Sequence, residues 1–195
     1  MYYSWSNSVW ENLVFKRVLV YNPDLFYIPP KNIIYCYSAW ESSFDNFNEI
    51  SPYGKFHKRI PDIDELEPNL IFLDDLIKEC EEDPSIQKLF TIDSHHKNFS
   101  VFFITQNIFS KGKFTRTLNL NSHYLILFNN PREGLQIGTL EREMFPNKVK
   151  FFMEAFEDAA KKPHGYLMID LKQKTESFVK LYIWRDLRII YTSKD

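Results

Sequence analysis

The sequence predicts one α/β domain organised as an open, three-layer and mostly parallel sheet. Three observations carry that prediction. Five short runs are apolar at nearly every position, Ile33–Ser38, Leu70–Asp74, Val101–Thr105, Tyr124–Phe128 and Tyr166–Asp170, which is how strands buried on both faces read. Helical or loop-forming segments separate most of these runs, as crossovers between parallel strands require. At 195 residues the chain is long enough for one full hydrophobic core and short for two domains.

Near the start, Trp10, Leu13, Val14 and Val18 have the spacing of a short amphipathic helix. After the strand at Ile33–Ser38, the stretch from Glu41 to Pro68 is broken by Pro52, Gly54 and Pro61 and carries Asp62, Asp64, Glu65 and Glu67, so it reads as a surface connection. Beyond Leu70–Asp74, a helix is expected from Pro84 to Asp93, with Asp83 as its N-cap and Pro84 at its first position. The strands Val101–Thr105 and Tyr124–Phe128 come next, then a helix over Glu133–Phe145 on the spacing of Leu135, Leu140 and Met144. Lys148–Lys162 is the strongest helix: Val149, Phe152, Met153 and Phe156 share one face, and Pro163 and Gly165 stop it before the strand at Tyr166. The run from Phe178 to Trp184 adds one more strand.

Composition narrows the class of protein without choosing its partner. Hydrophobic residues make up 44% of the chain and aromatics 17%, enough to offset the entropy of ordering it and to exclude a wholly disordered protein. A formal net charge of −2 offers no bulk attraction to nucleic acid, although a local basic groove can still track phosphates. Cys36 and Cys80 lack Cys-x-x-Cys spacing, and no secretory or transit sequence is apparent, which suggests a reduced intracellular setting, nucleus or cytoplasm. No run approaches the roughly 20 apolar residues that a membrane-spanning helix needs, so no membrane partner is expected.

The most informative chemistry lies in Asn69-Leu-Ile-Phe-Leu-Asp-Asp75, where four apolar residues deliver Asp74 and Asp75 to the C-terminal end of a buried strand. Ligands of open α/β sheets bind at that edge. In nucleotide hydrolases one such acid holds Mg²⁺ and its neighbour orients water. The plainer explanation is a strand exit that caps the following helix. The next strand, ending in Thr105-Gln106-Asn107, also finishes on groups that donate and accept hydrogen bonds. Together the two exits suggest a nucleotide site, and the alternative for Gln106 and Asn107 is a loop whose amides satisfy local backbone.

At this point the chain resembles the viral genome-packaging ATPases of the FtsK/HerA superfamily, especially those of adintovirus-like and Maverick/Polinton-like elements. The resemblance runs from about Pro29 to Leu171. It rests on Pro29-Pro-Lys-Asn-Ile-Ile-Tyr-Cys-Tyr-Ser-Ala-Trp40, on Asn69–Asp75, on Lys88–Asn107, on Leu120–Phe128, on Asn130-Pro-Arg132 and on Gly165–Leu171. It implies a P-loop NTPase-like sheet in which Asp74 and Asp75 take the Walker B place, with Asp74 meeting Mg²⁺ through the nucleotide. Gln106 takes the polar sensor place beside Asn107, and Arg116 or Arg132 is the arginine finger. It further implies ATP and Mg²⁺ as cofactors, double-stranded DNA as partner, a homo-oligomeric ring, and a capsid or portal component.

The departure from the family is equally informative. Members carry a phosphate-binding loop, G-x-x-x-x-G-K-[ST], before the strand matched by Ile33–Ser38, because its backbone N–H groups cradle phosphates and its Lys neutralises them. Here no glycine precedes Gly54. Residues 1–28 are therefore expected to be a divergent or remnant segment, and residues 29–195 a partial ATPase core missing the first strand, loop and helix. The expected function is that of a truncated or degenerate packaging ATPase, without autonomous hydrolysis. The alternative is a non-catalytic module that binds DNA or a motor subunit.

Other clusters are weighed against plainer roles. Lys111, Lys113 and Arg116, with Phe109 and Phe114, form a basic and aromatic patch suited to DNA phosphates or, equally, a solvated loop. His95 and His96 lack a third ligand at a recognised spacing and fit a polar loop better than a metal site. Cys36, on an apolar strand, reads as core.

Overall fold

A nine-stranded sheet organises the computed structural model, which describes residues 2–4, 26, 28–40, 54–62, 69–93, 96–97, 99–106, 112–128, 134–161, 165–172, 181–184 and 188–191. Its strands are β1 (Tyr2–Ser4), β2 (Ile33–Tyr37), β3 (Gly54–Lys58), β4 (Leu70–Asp74), β5 (Ser100–Thr105), β6 (Tyr124–Phe128), β7 (Tyr166–Asp170), β8 (Leu181–Trp184) and β9 (Arg188–Tyr191). Between them lie α1 (Ile77–Glu82), α2 (Pro84–Lys88) continuing into a π-helical turn at Leu89–Asp93, α3 (Lys113–Asn121), α4 (Gly134–Met144) and α5 (Val149–Ala160).

The strands run in the order β3-β2-β4-β5-β1-β6-β7-β8-β9. The pairings from β3 to β6 are parallel, and those from β6 through β9 are antiparallel. All five expected strands form within a residue of their expected limits, because each is apolar enough to be buried on both sides. Phe178–Trp184 is realised as a strand at Leu181–Trp184.

Two expectations need amendment. The first strand is present: Tyr2–Ser4 pairs in parallel with both β5 and β6, with Tyr3 opposite Ile104 and Ile126. Three residues are too short for a periodic strand pattern, although tyrosine favours strands, and backbone hydrogen bonding to two flanking strands holds them in mid-sheet. The rest of that unit, including Trp10, Leu13, Val14 and Val18, lies outside the described residues. The stretch read as a surface connection contains β3, paired in register with β2 from Ile33 opposite Gly54 to Tyr37 opposite Lys58. An edge strand faces solvent, so Gly-Lys-Phe-His-Lys can serve there although it does not look like a core strand.

Side chains alternate across the sheet into two cores. On one face Ile34, Cys36, Ile71, Leu73, Phe103 and Leu127 meet the buried sides of all five helices, through Cys80, Ile86, Phe114, Leu118, Leu140 and Phe152 among others. On the other, Ile33, Tyr35, Leu70, Phe72, Phe102, Ile104, Ile126 and Phe128 form a second cluster, with Phe26, Tyr37, Phe56, Tyr166 and Met168 packed against it. Both faces are withdrawn from water, as a layered α/β sheet requires.

The expected helix over Glu133–Phe145 is realised as Gly134–Met144 and that over Lys148–Lys162 as Val149–Ala160. In α5 the buried positions Phe152, Ala155, Phe156 and Ala159 make the apolar stripe, flanked by half-buried Val149 and Met153. At the N-terminal edge of the sheet the Asn69 side-chain oxygen accepts from the Lys31 and Asn32 N–H groups at 3.1 and 3.2 Å, setting the relative entry of β2 and β4.

Candidate nucleotide site at the carboxyl edge of the sheet

Register determines what the parallel strands deliver to their C-terminal edge. Lys58, Tyr37, Asp74, Ile104 and Tyr3 stand in one row across β3, β2, β4, β5 and β1. One residue further on come Arg59, Ser38, Asp75, Thr105 and Ser4. The sensor-like strand β5 thus lies between the acidic strand β4 and the short β1.

Asp74 is only 6% exposed although it ends a strand. The Tyr35 hydroxyl, two residues back on β2, donates to Asp74 Oδ2 at 2.8 Å. Tyr35 opposes Phe72 and Tyr37 opposes Asp74, so the alternation that buries Tyr35 also aims it at the carboxylate. Its ring lies 5.8 Å from Phe72 and 5.4 Å from Phe56, which leaves the phenol little freedom. A buried carboxylate costs free energy unless hydrogen-bonded, and a rigid donor answers part of that cost while fixing the rotamer.

Asp75 is arranged differently. It is exposed and has φ 51°, in the left-handed region that side chains generally avoid. Its N–H still donates to the Ile104 carbonyl at 3.1 Å, so the β4–β5 ladder runs one residue past the strand and then turns sharply. Desolvation first, and the neighbouring Glu79 second, raise its carboxyl pKa above the ordinary range, with Lys78 opposing them. The helix-capping alternative is not realised. Helix α1 starts with Leu76 at its N-cap and no side-chain cap bond. Among the described residues, the Asp75 carboxylate has no hydrogen-bond partner.

The other expected residues divide. Gln106 stands exposed in the bend directly after β5, on the same edge as the acids, whereas Asn107 lies outside the described residues. Lys113 and Arg116 are exposed on the first two turns of α3, so this part of the basic patch is helical rather than a loop. Phe114 is removed from the patch altogether: it is fully buried, 5.3 Å from Phe90 and 5.4 Å from Phe103. The exposed side chain of Glu81 lies against Gly112, where a Cβ would strike its Oε1, so a carboxylate of the same chain faces the start of α3. Lys111, Arg132 and His95 lie outside the described residues, and His96 is exposed. Tyr35 was not singled out beforehand; its signal was the tyrosine two residues before the end of an apolar strand.

No group of three or more His, Cys, Asp or Glu side chains among the described residues is disposed to hold a metal ion. Mg²⁺ at nucleotide sites is generally taken up by one or two carboxylates together with substrate phosphates. Asp74 and Asp75 supply oxygen donors of that kind. The sequence supplies no G-x-x-x-x-G-K-[ST] cradle for the phosphates themselves.

No protein-family model matches the chain, and no curated protein matches it. Solved structures do. The genome packaging NTPase B204 of Sulfolobus turreted icosahedral virus 2 in complex with AMPPCP superposes with a TM-score of 0.58 at 13% identity, covering 95% of this chain and 95% of that one. Its sulfate complex gives 0.58 at 10% identity over the same 95% of each chain, and its ATP-gammaS complex 0.55 at 11% over 94% of each. The chain shares its fold with this packaging NTPase. The likeness covers 95% of each chain, so it extends beyond the stretch from Pro29 to Leu171. Among the described residues no helix is long and apolar enough to cross a membrane.

Proposed function

We propose that this chain is a packaging-motor protein of the FtsK/HerA type, in which Asp74 faces nucleotide-bound Mg²⁺ at the carboxyl edge of the sheet and Asp75 stands beside it. The observation that carries the reading is the strand order β2-β4-β5-β1-β6, with a buried, tyrosine-anchored Asp74 ending β4 and exposed Gln106 following β5. Asp74 is the Mg²⁺-facing acid and Asp75 the group that orients water, with Gln106 and Asn107 sensing the terminal phosphate. Arg116 or Arg132 of a neighbouring subunit reaches toward the nucleotide. Bound Mg²⁺ would neutralise phosphate charge; the residues of the chain position it and the water. The partner is double-stranded DNA moved toward a capsid or portal by a ring of subunits, with Lys111 and Lys113 against the DNA.

A second reading has its own support. The missing glycine-rich loop removes the main term for triphosphate binding, which favours a degenerate motor subunit that keeps the sheet and turns over no ATP. Fluorescent ATP-analogue binding and phosphate release, measured with and without Mg²⁺ on the parent, Asp74→Asn and Asp75→Asn, separate the two. Mg²⁺-dependent turnover lost in both variants supports the enzyme. Nucleotide binding without turnover supports the degenerate subunit, and the absence of Mg²⁺-dependent nucleotide binding in the parent overturns the site assignment.

A further inference from the structure

We infer that the corner formed by Trp40, Lys58 and Arg59, at the β3 end of the sheet's carboxyl edge, is a binding platform for single-stranded nucleic acid, made of residues other than Asp74 and Asp75 and other than Lys113 on α3. Trp40 lies just beyond β2 and is 49% exposed. It is not a loosely attached side chain. Its ring meets Tyr37 at 5.3 Å and Phe56 at 5.5 Å, both edge to face, and Phe56 in turn rests on Tyr35 at 5.4 Å. The indole is thus held in place by the sheet while half its surface stays in water, the condition for stacking without a large ordering cost.

Cationic groups border it. Lys58 opposes Tyr37 in the β2–β3 register and, two residues after Phe56, emerges on the same face as the aromatic cluster. Arg59 follows with φ 75°, its N–H held by the Tyr37 carbonyl at 3.1 Å. Arg59 and Asp75 are the non-glycine residues with positive φ among the described residues, and both stand one step past a parallel strand at the same edge. A left-handed arginine is unfavourable, and such conformations concentrate at functional positions. Lys55, Lys58 and Arg59 are all exposed on a chain whose formal net charge is −2.

Protection of an edge strand against aggregation accounts for Lys55 and Lys58. It accounts for neither a half-exposed, braced indole nor a left-handed arginine beside it. The combination of an aromatic ring with flanking cations fits an unpaired base stacked on Trp40 and its adjacent phosphates on Lys58 and Arg59. A duplex hides its base faces, so the indole selects the single strand. Lys113 starts α3, on the helix-covered face, and does not share this corner.

The test is fluorescence anisotropy of a labelled oligothymidylate and of a labelled duplex with the full chain, in the absence of nucleotide, so that the outcome does not depend on the Asp74 reading. Trp40→Ala weakens oligothymidylate binding by about tenfold, and Trp40→Phe recovers part of the loss. Lys58→Ala with Arg59→Ala lowers the slope of log K against log salt by about 1.4, two cations at about 0.7 each on a single strand. The platform is refuted by no oligothymidylate binding, by unchanged affinity in Trp40→Ala, or by equal loss in Trp40→Phe. A preference for duplex indifferent to Trp40 refutes it too, as does loss of self-association in Trp40→Ala with DNA affinity intact, which would make the corner a subunit contact.

Discussion

Replacing Tyr35 with Phe removes one oxygen from the interior and leaves the packing in place. The ring still fills the space beside Phe72 and Phe56, so no cavity contributes, and what is lost is the hydroxyl's donation to Asp74 Oδ2 at 2.8 Å. A hydrogen bond to an ionised group contributes about 1.5–3 kcal/mol. Because Tyr35 is 1% exposed and Asp74 6%, water has little access to replace the donor, so the upper part of that range is expected. For a chain of this size the upper part of the range lowers Tm by about 5–12 °C. The assay is urea denaturation of the parent, Tyr35→Phe, Asp74→Asn and the double variant, with the coupling between the two sites read from the cycle. In parallel, Tyr35→Phe weakens Mg²⁺-dependent nucleotide affinity by about 10–100-fold if Asp74 faces the metal, the cost typical of losing an outer-shell partner. Stability of Tyr35→Phe within about 0.5 kcal/mol of the parent, with no coupling to Asp74→Asn, would refute the claim that the tyrosine anchors the acid.

Asp75→Asn should raise stability at neutral pH while removing any Mg²⁺-dependent turnover. Desolvation and Glu79 raise the folded carboxyl pKa, so between the ordinary pKa and the raised one the folded chain holds a proton that the unfolded chain has released. Stability therefore falls as pH rises through that window, and the advantage of the amide disappears below about pH 3.9. A lower Tm for Asp75→Asn at pH 7 would mean that the charge supports the fold. Burial pushes the Cys36 thiol pKa up to about 12 and raises that of Cys80, so neither reacts with maleimide at pH 8 until the chain unfolds. Rapid labelling of the native protein would contradict that burial. Tyr191→Phe removes the 2.6 Å bond to Asp158 that ties β9 to α5, at about 0.5–1.5 kcal/mol, seen as a lower urea midpoint with unchanged m.

The placement of Asp74, Asp75 and Gln106 in the candidate site was legible in the sequence because strand exits are local features. A strand buried on both faces must be apolar throughout, so two carboxylates after Leu70-Ile-Phe-Leu stand out, as does Gln106 after Val101-Phe-Phe-Ile-Thr. Trp40 lies in the stretch Pro29–Trp40 without a role assigned from sequence, since its bracing depends on Phe56, a residue in a segment read as a surface connection. Phe114 shows the opposite failure. Lys113 and Arg116 lie close to it in sequence, but the α3 face it occupies is turned onto Phe103, and burial follows from the helix period rather than from adjacent charge.

By itself the sequence determined the α/β class, the five principal strands, the two strongest helices and the acids that end β4, all of which follow from short-range periodicity and burial. Tertiary structure alone decided the strand order, the central place of Tyr2–Ser4, the edge position of β3, and the meeting of Tyr35 with Asp74. Those depend on pairing between segments far apart in the chain. A three-residue strand between β5 and β6, or a polar strand at an edge, takes its place through backbone hydrogen bonds to neighbours distant in the chain, which no local pattern announces. Likewise, whether Asp74 is buried and oriented depends on the register of β2 against β4, where sliding by one residue would turn Tyr35 to the other face.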